Sequence, residues 1–312
     1  MSGGTGARRS GGADSLPTVG FALMAGLTLF WGGNWPMMKI VLAEIPVWPF
    51  RSLCVIGGGC ALLLLVRLSG QSIRVPTSEV RPLLICALFN TIAWHLFSGY
   101  GVSLIEAGRA VIIAFTMPVW AAVLSRVILG EAFTRWKLLG LLFGMAGLAV
   151  LIGPDLRALG AAPLGALFML GAAVSWATGT VLMKHYSWSI PVGVLAGWQL
   201  LVGSVPLVIG ALVIGDLPNP SDLSLGTLAA LAYILVFPMT FCHWAWTKLV
   251  RIFPAALAAV GTLAIPVVGV LSSALILGEP LGAREAISLA LVCAALAFVL
   301  VIPGLTRKKA ES

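Results

Sequence analysis

The sequence predicts an all-α integral membrane protein whose transmembrane helices form a five-plus-five inverted repeat. Three observations support this prediction: the composition, the lengths of the apolar runs, and an internal repeat. Of the 312 residues, 60% are hydrophobic and only 10% are charged, and the mean hydropathy is +1.05. A soluble domain carries about 25% charged residues. The composition therefore excludes a water-soluble globular protein.

Proline, glycine and charged residues divide the apolar sequence into ten predicted membrane-spanning helices. Each run is close to the roughly 20 residues with which a helix crosses a bilayer core about 30 Å thick. Breaks such as Ile45-Pro46, Gly153-Pro154 and Phe253-Pro254 predict helix ends, because proline interrupts helical hydrogen bonding. The predicted spans are 18–40, 46–68, 82–104, 107–129, 136–153, 163–184, 191–214, 225–248, 254–277 and 284–303.

The distribution of basic residues predicts the orientation. Residues 1–17 are expected to be a disordered cytoplasmic tail, and residues 304–312 a basic cytoplasmic tail. With the N-terminus inside, the outer side receives only Lys39, Arg51, Arg109, Arg157 and Arg284. The other basic residues lie on the inner side, as the positive-inside rule requires. We therefore expect a multi-pass protein of a bacterial-type inner membrane with both termini cytoplasmic. The net charge of +8 then needs no nucleic-acid partner.

The two halves of the chain are related in sequence. Residues 83–149 align without a gap on residues 231–297, and the matched pairs are His95 with His243, Pro118 with Pro266, and Glu131 with Glu279. Nearer the N-terminus the matched pairs are Trp31 with Trp176, Met38 with Met183, Lys39 with Lys184, and Pro46 with Pro191.

This repeat predicts the domain organisation. Residues 18–154 are expected to form a first five-helix repeat, and residues 163–303 a second. Five is an odd number, so the second repeat enters the membrane inverted. Inverted repeats are typical of secondary transporters, which bind their substrates near the midplane between the halves. A duplication that merely enlarges a helical bundle is the structural alternative.

The chain resembles the drug/metabolite transporter superfamily, and within it the EamA-type ten-helix branch. The residues that carry the resemblance are Phe-Trp-Gly-Gly-Asn-Trp-Pro at 30–36 and the Leu-Gly-Glu sequences that end the fourth and ninth helices. Within that branch the chain looks like the YddG-type exporters of aromatic and other neutral amino acids. The resemblance implies a cavity lined by the third, fourth, eighth and ninth helices. It also implies gating by the first, second, sixth and seventh helices, with the fifth and tenth peripheral.

No motif predicts an enzyme, a metal site or a cofactor. The sequence lacks a Gly-x-Ser-x-Gly elbow, a His-Glu-x-x-His pair, a phosphate loop and paired carboxylates at membrane depth. The five cysteines lie inside apolar runs and are expected to be buried thiols.

Polar side chains inside the membrane are costly and are therefore candidates for a binding site. His95 lies in the third predicted helix with Asn90 and Trp94 nearby, and His243 is its counterpart in the eighth. Asn34 follows two glycines and precedes Trp35-Pro36, which predicts a locally weakened helix. Each of these polar residues could instead bond a neighbouring helix and stabilise packing.

Tryptophans at mid-depth are not explained by the aromatic belt at the membrane surface. Trp31, Trp94, Trp120 and Trp176 are therefore predicted to line the substrate path, although packing against other helices is the alternative. Pro118 and Pro266 lie at matching depths and are predicted to be hinges.

Four charged residues are predicted to be structural or gating groups at the membrane interfaces. They are Lys39, Glu131, Lys184 and Glu279. We expect Glu131 to pair with Arg126, Arg135 or Lys137, and Glu279 to pair with Arg284.

Absences narrow the predicted substrate. The sequence places no Lys or Arg, and no Asp or Glu, at mid-membrane. A phosphorylated substrate should need a central cation, and a cationic drug a buried carboxylate. We therefore predict a neutral or zwitterionic substrate with an apolar side chain. The resemblance to the YddG-type exporters implies that the chain exports Phe, Trp and Tyr, extending to Met and Thr. The alternatives are an exporter of another neutral metabolite or drug, and a passive channel. The expected assembly is a monomer or weak homodimer.

Overall fold

A computed structural model describes residues 18–152, 161–214, 217–252 and 255–302. These ranges are almost entirely helical, which confirms the all-α prediction. The α-helices are α1 (Thr18–Glu44), α2 (Val47–Leu68), α3 (Thr77–Ala87), α4 (Trp94–Leu104), α5 (Ala107–Ala114), α6 (Met117–Leu129), α7 (Arg135–Ile152), α8 (Ala161–His185), α9 (Val192–Ile214), α10 (Leu225–Val236), α11 (His243–Ile252), α12 (Ala255–Leu277) and α13 (Ala283–Leu296).

Short segments of other helical geometry join several of these elements. The π-helical turn π1 (Leu88–Ala93) joins α3 to α4, π2 (Phe237–Cys242) joins α10 to α11, and π3 (Ala297–Val301) follows α13. A 3-10 turn (Pro220–Asp222) precedes α10. The third and eighth predicted helices are therefore continuous through a π-turn, a feature that the apolar pattern does not reveal.

Six helical segments within the described residues are long and apolar enough to cross a membrane. They are Val47–Leu68, Thr77–Leu104, Ala107–Leu129, Pro163–His185, Val192–Ile214 and Leu225–Trp246. This confirms a membrane protein with several helical crossings. The predicted tails at 1–17 and 304–312 and the Gly153-Pro154 break lie outside the described residues.

Some helix bounds differ from the predicted spans. α1 continues to Glu44. Proline disfavours helical geometry only at the residue before it, so Pro46 excludes Ile45 but not Glu44. α3 begins at Thr77, directly after Pro76. The predicted start at residue 82 was wrong because it followed the apolar sequence, whereas the helix has a polar first turn. There Glu79 lies near the positive end of the helix dipole.

The helices of the two halves pack in exchanged pairs. α1 packs against α12 and α10, while α8 packs against α6 and α4. In the repeat, α12 matches α5 and α6, and the helix formed by α10, π2 and α11 matches the one formed by α3, π1 and α4. α2 packs against its own counterpart α9, and α7 packs against α13. This is the packing expected of two halves related by a twofold axis.

The α2–α9 contact shows why small residues are needed between the halves. A Cβ on Gly59 would lie 2.8 Å from Leu201 and 3.1 Å from the Gly197 carbonyl oxygen, and a Cβ on Gly197 would lie 2.7 Å from Leu63. Lipid supplies no hydrophobic driving force between helices, so such close backbone approach is a main source of their association.

Candidate functional site

The matched histidines follow matched π-turns. His95 comes two residues after π1, and its Nδ1 lies 2.7 Å from the Thr91 carbonyl oxygen. His243 comes directly after π2, and its Nδ1 lies 2.9 Å from the Pro238 carbonyl oxygen. A carbonyl can only accept, so each Nδ1 donates and each neutral ring keeps its acceptor at Nε2. π-turns are frequent at functional sites because they free backbone groups from the helix.

The structure separates the predicted tryptophans into two clusters. Trp94 and Trp176 lie with their ring centroids 5.0 Å apart. Trp31 instead lies 5.9 Å from the His243 ring and 6.3 Å from Trp246. Its indole Nε1 also donates to the Pro238 carbonyl oxygen over 3.3 Å. Trp31 and Trp176 are counterparts in the repeat, and each packs on the π-turn helix of the opposite half.

Trp120 belongs to neither cluster. Its indole Nε1 donates to the Thr116 hydroxyl over 3.1 Å, and its ring is half-buried. The Thr116 hydroxyl in turn donates to the Ile113 carbonyl oxygen over 2.6 Å. Trp120 therefore binds the turn between α5 and α6.

Two of the predicted polar residues keep an unused acceptor. The Asn90 Nδ2 donates to the Gln199 Oε1 over 3.2 Å, which ties π1 to α9. The Asn34 Nδ2 lies 3.1 Å from the Met38 sulfur. The Oδ1 atoms of Asn34 and Asn90 are buried, and neither has a hydrogen-bond partner among the described residues. A buried unpaired amide oxygen is costly and is suited to accept from a bound ligand.

Sequence reasoning missed two buried polar residues near these candidates, Gln199 and Arg51. Gln199 is 4% exposed and donates from Nε2 to the Met183 sulfur over 3.2 Å. Arg51 is 4% exposed and donates from Nη2 to the Ser98 hydroxyl over 2.9 Å. Arg51 was assigned to the outer side by its nearness to a helix end. Its place in the second turn of α2, inside an apolar run, was the signal that could have found it.

The predicted gating residue Glu279 binds the other half of the molecule. Its Oε1 accepts from the Ala107 backbone N–H over 2.7 Å, and its Oε2 accepts from the Gly108 N–H over 2.8 Å. These N–H groups begin α5 and have no partner within the helix. The predicted pairing of Glu279 with Arg284 was wrong, since the Glu279 carboxylate is taken up by the free N–H groups of this helix end.

Charged side chains surround this contact. Lys39 donates from Nζ to the carbonyl oxygens of Val102 and Ile105 over 2.8 and 2.7 Å. Arg109 lies 3.0 Å from the Glu285 carboxylate and 3.2 Å from that of Glu106. An open recess of about 290 Å³ is lined by Lys39, Leu104, Ile105, Glu106, Arg109 and Glu279.

The counterpart residue Glu131 has different partners. Its carboxylate accepts from the ammonium group of Lys184 in the second half, and from that of Lys137 over 3.0 Å. Lys137 was one of its predicted partners. The hydrogen bonds from Lys184 and Lys137 lower the pKa of Glu131 to about 2. Glu131 and Glu279 thus each connect the two halves, at opposite ends of the repeat.

The two predicted hinges lie in different helical contexts. Pro118 is the second residue of α6, directly after the break at Phe115 and Thr116 that separates α5 from α6. Pro266 lies inside the uninterrupted α12. A proline near a helix start costs no hydrogen bond, whereas one in a helix interior removes one.

The comparisons with known proteins point to one family. The model of the EamA-like transporter family matches residues 18–153 and 163–301. The uncharacterized transporter YvbV of Bacillus subtilis is 31% identical over 83% of this chain and 84% of its own length. The uncharacterized inner membrane transporter YedA of Escherichia coli K12 is 28% identical over 91% of this chain and 90% of its own.

A solved structure has the same fold. It is a crystal structure with a TM-score of 0.65 and 20% sequence identity, and the match covers 95% of this chain and 99% of the other.

Proposed function

This chain belongs to the EamA-like transporter family, and on that premise we propose that it is a secondary exporter of neutral and aromatic amino acids. Its substrates are Phe, Trp and Tyr, extending to Met and Thr. It works by alternating access in an inner membrane, with ten crossings and both termini in the cytoplasm.

The observation that carries the transport mechanism is the exchanged packing of the two halves. Two inverted halves with equivalent contacts have two conformations of similar energy, which is the requirement of alternating access. Glu279 joins the halves at α5, and Glu131 joins them through Lys184. In the proposed cycle, the Glu279 contact breaks while the Glu131 contact stays formed, and the reverse occurs in the other half of the cycle.

The chemistry of the candidate residues supports an amino-acid substrate. The Trp94–Trp176 pair offers an aromatic surface, on which stacking is worth about 0.5–1.5 kcal/mol beyond area burial. The unpaired Oδ1 atoms of Asn34 and Asn90 can accept from an ammonium group. His95 adds a ring acceptor at Nε2. Together these groups suit a solute with an apolar side chain and a polar head.

The test is phenylalanine flux in liposomes that contain the pure protein. We expect saturable efflux of labelled phenylalanine, together with counterflow when unlabelled phenylalanine is present on the opposite side. Protein-free liposomes measure the leak, and parallel assays with and without a pH gradient decide whether protons are coupled. Flux without saturation or counterflow would indicate a passive channel. Absence of any phenylalanine flux would reject the amino-acid proposal and leave other neutral metabolites or drugs.

A further inference from the structure

Arg51 is a buried charge without a counter-charge. Its side chain is 4% exposed, and Nη2 contacts the Ser98 hydroxyl at 2.9 Å and the Met38 sulfur at 3.8 Å. The guanidinium carbon also lies 4.9 Å from the centroid of the Phe50 ring. All three groups are neutral. No carboxylate of the described residues lies within ion-pair distance of its guanidinium. Its Nε–H group is buried and has no acceptor.

A guanidinium in this position has N–H donors that remain available to bind an anion. It carries five N–H donors in a planar fork that matches a carboxylate. A buried charge is costly unless it is paired. The neutral groups of Ser98 and Met38 position the guanidinium but supply no opposite charge. A ligand carboxylate would supply it.

The groups around Arg51 are complementary to the other parts of an amino acid, its ammonium group and its side chain. Met38 also contacts the Asn34 amide, whose Oδ1 is unpaired. Trp94, which packs against Trp176, lies four residues before Ser98. Four residues span about 6 Å along a helix, which is comparable with the separation of ring and carboxylate in an aromatic amino acid. The cation and the aromatic surface therefore lie at a matching spacing along α4, and the Asn34 acceptor adjoins the cation through their shared contact with Met38.

The second half has no equivalent of this charge. The repeat alignment that pairs Pro46 with Pro191 places Ala196 at the position of Arg51. In that half Gln199, one turn further along, contacts the matched sulfur of Met183. A carboxylate site built on Arg51 would thus occur once per molecule.

We propose that Arg51 binds the carboxylate of the transported solute, so that the substrate class is a monocarboxylate with an apolar side chain. This inference rests on the proposed function and deepens it, because it separates amino acids from amines, amides and uncharged metabolites. The alternative is a purely structural role, in which the hydrogen bond from Arg51 to Ser98 only holds α2 against α4. The experiment must distinguish this role from substrate binding.

The experiment compares Arg51→Gln and Arg51→Lys with the matched control Arg67→Gln, an exposed arginine in the last turn of the same helix. The probes are phenylalanine, 3-phenylpropionate and phenylalaninamide, which have the same ring but differ in the carboxylate and the amine. Counterflow gives KM for each probe, and tryptophan fluorescence titration gives binding independently of transport.

We expect Arg51→Gln to raise KM at least tenfold for phenylalanine and 3-phenylpropionate, with no loss for the amide. Arg51→Lys should raise it severalfold for the same two probes, since it keeps the charge but loses the fork. Arg67→Gln should match the wild type. If the Gln variant does not insert, Arg51→Lys carries the test through the same difference between carboxylates and amide.

Two results would overturn the inference. One is an unchanged KM of Arg51→Gln for both carboxylates. The other is an equal rise in KM for all three probes, which would indicate that Arg51 has only a structural role. Failure of the proposed function is distinguishable, because the wild type would then move no phenylalanine. In that case binding of 3-phenylpropionate to the wild type and not to Arg51→Gln still supports the carboxylate site, and equal binding to both rejects it.

Discussion

The two halves share a backbone plan but differ in what surrounds their π-turn helices. Around α3, π1 and α4, polar contacts lie beside the Trp94–Trp176 pair. The polar contacts run from Arg51 to the Ser98 hydroxyl, from Asn90 to Gln199, and from the Ser175 hydroxyl to the Phe89 carbonyl oxygen at 2.7 Å.

Around α10 and π2 the contacts are largely aromatic. Phe30 stacks on Phe237 at 4.2 Å, and the Tyr233 hydroxyl donates to the Phe30 carbonyl oxygen over 3.1 Å.

The repeat therefore preserves the helical fold in both halves, whereas the side chains around the π-turns have diverged. A symmetrical site between inverted halves would present the same groups from both sides. In the proposed function, the polar region holds the charged head of the solute, and the aromatic region supports the helices that move. Comparing matched variants in the two halves is therefore the direct way to assign roles.

The largest difference is expected between the two glutamates at the ends of the repeats. Glu279→Ala leaves two N–H groups of α5 without partners, at a cost of about 1–3 kcal/mol. Glu131→Ala removes contacts with two lysine side chains at the surface, which are worth about 0–1 kcal/mol. Apparent melting temperature in detergent should therefore fall clearly more for Glu279→Ala. Equal shifts would mean that both ends are held alike.

Variants in the two tryptophan clusters should differ in which substrates they export more slowly. Trp94→Ala removes half of the Trp94–Trp176 surface and should lower aromatic efflux about fivefold relative to threonine efflux. Trp31→Ala breaks a bond to the Pro238 carbonyl oxygen and should lower efflux of all substrates equally. Competitive efflux of phenylalanine and threonine from the same liposomes measures the ratio. A uniform loss in Trp94→Ala would contradict stacking on the substrate.

The two prolines should differ in turnover. Pro266→Ala restores a hydrogen bond inside the continuous α12 and should stiffen it, slowing saturated efflux roughly threefold. Pro118→Ala leaves the helix break in place, because position two of α6 needs no N–H partner, so turnover should change little. Saturated phenylalanine efflux rates test this order. A slower Pro118→Ala than Pro266→Ala would place the moving hinge in the first half.

The smallest effect is the pH dependence of the Glu131 contact. Its pKa is lowered from an ordinary value of 4.5 to about 2 by the hydrogen bonds from Lys184 and Lys137. The stabilisation is complete above pH 4.5 and is lost as the pH falls toward 2. The difference in melting temperature between wild type and Glu131→Ala should stay constant from pH 7 to 5 and shrink at lower pH. A difference that instead grows on acidification would show that other groups dominate.

Much of the architecture could be predicted because it follows from local and periodic properties. The apolar runs predict helices in a bilayer, and the pairing of His95 with His243 in the repeat predicts a related environment. Both histidines indeed follow a π-turn and bond a carbonyl within their own helix. The π-turns themselves were not predicted, because an extra residue in a helical turn leaves no reliable mark in an apolar sequence.

The amino-acid sequence was enough to predict the class of protein, the internal repeat and the types of residue available to a site. Which of these residues contact one another became known from the packing of the helices. It put Trp31 beside His243 rather than Trp176, aimed Glu279 at the start of α5, and buried Arg51 against Ser98. The physical reason is that helix formation depends on neighbours in the chain, whereas partners across helices depend on how two inverted halves pack together.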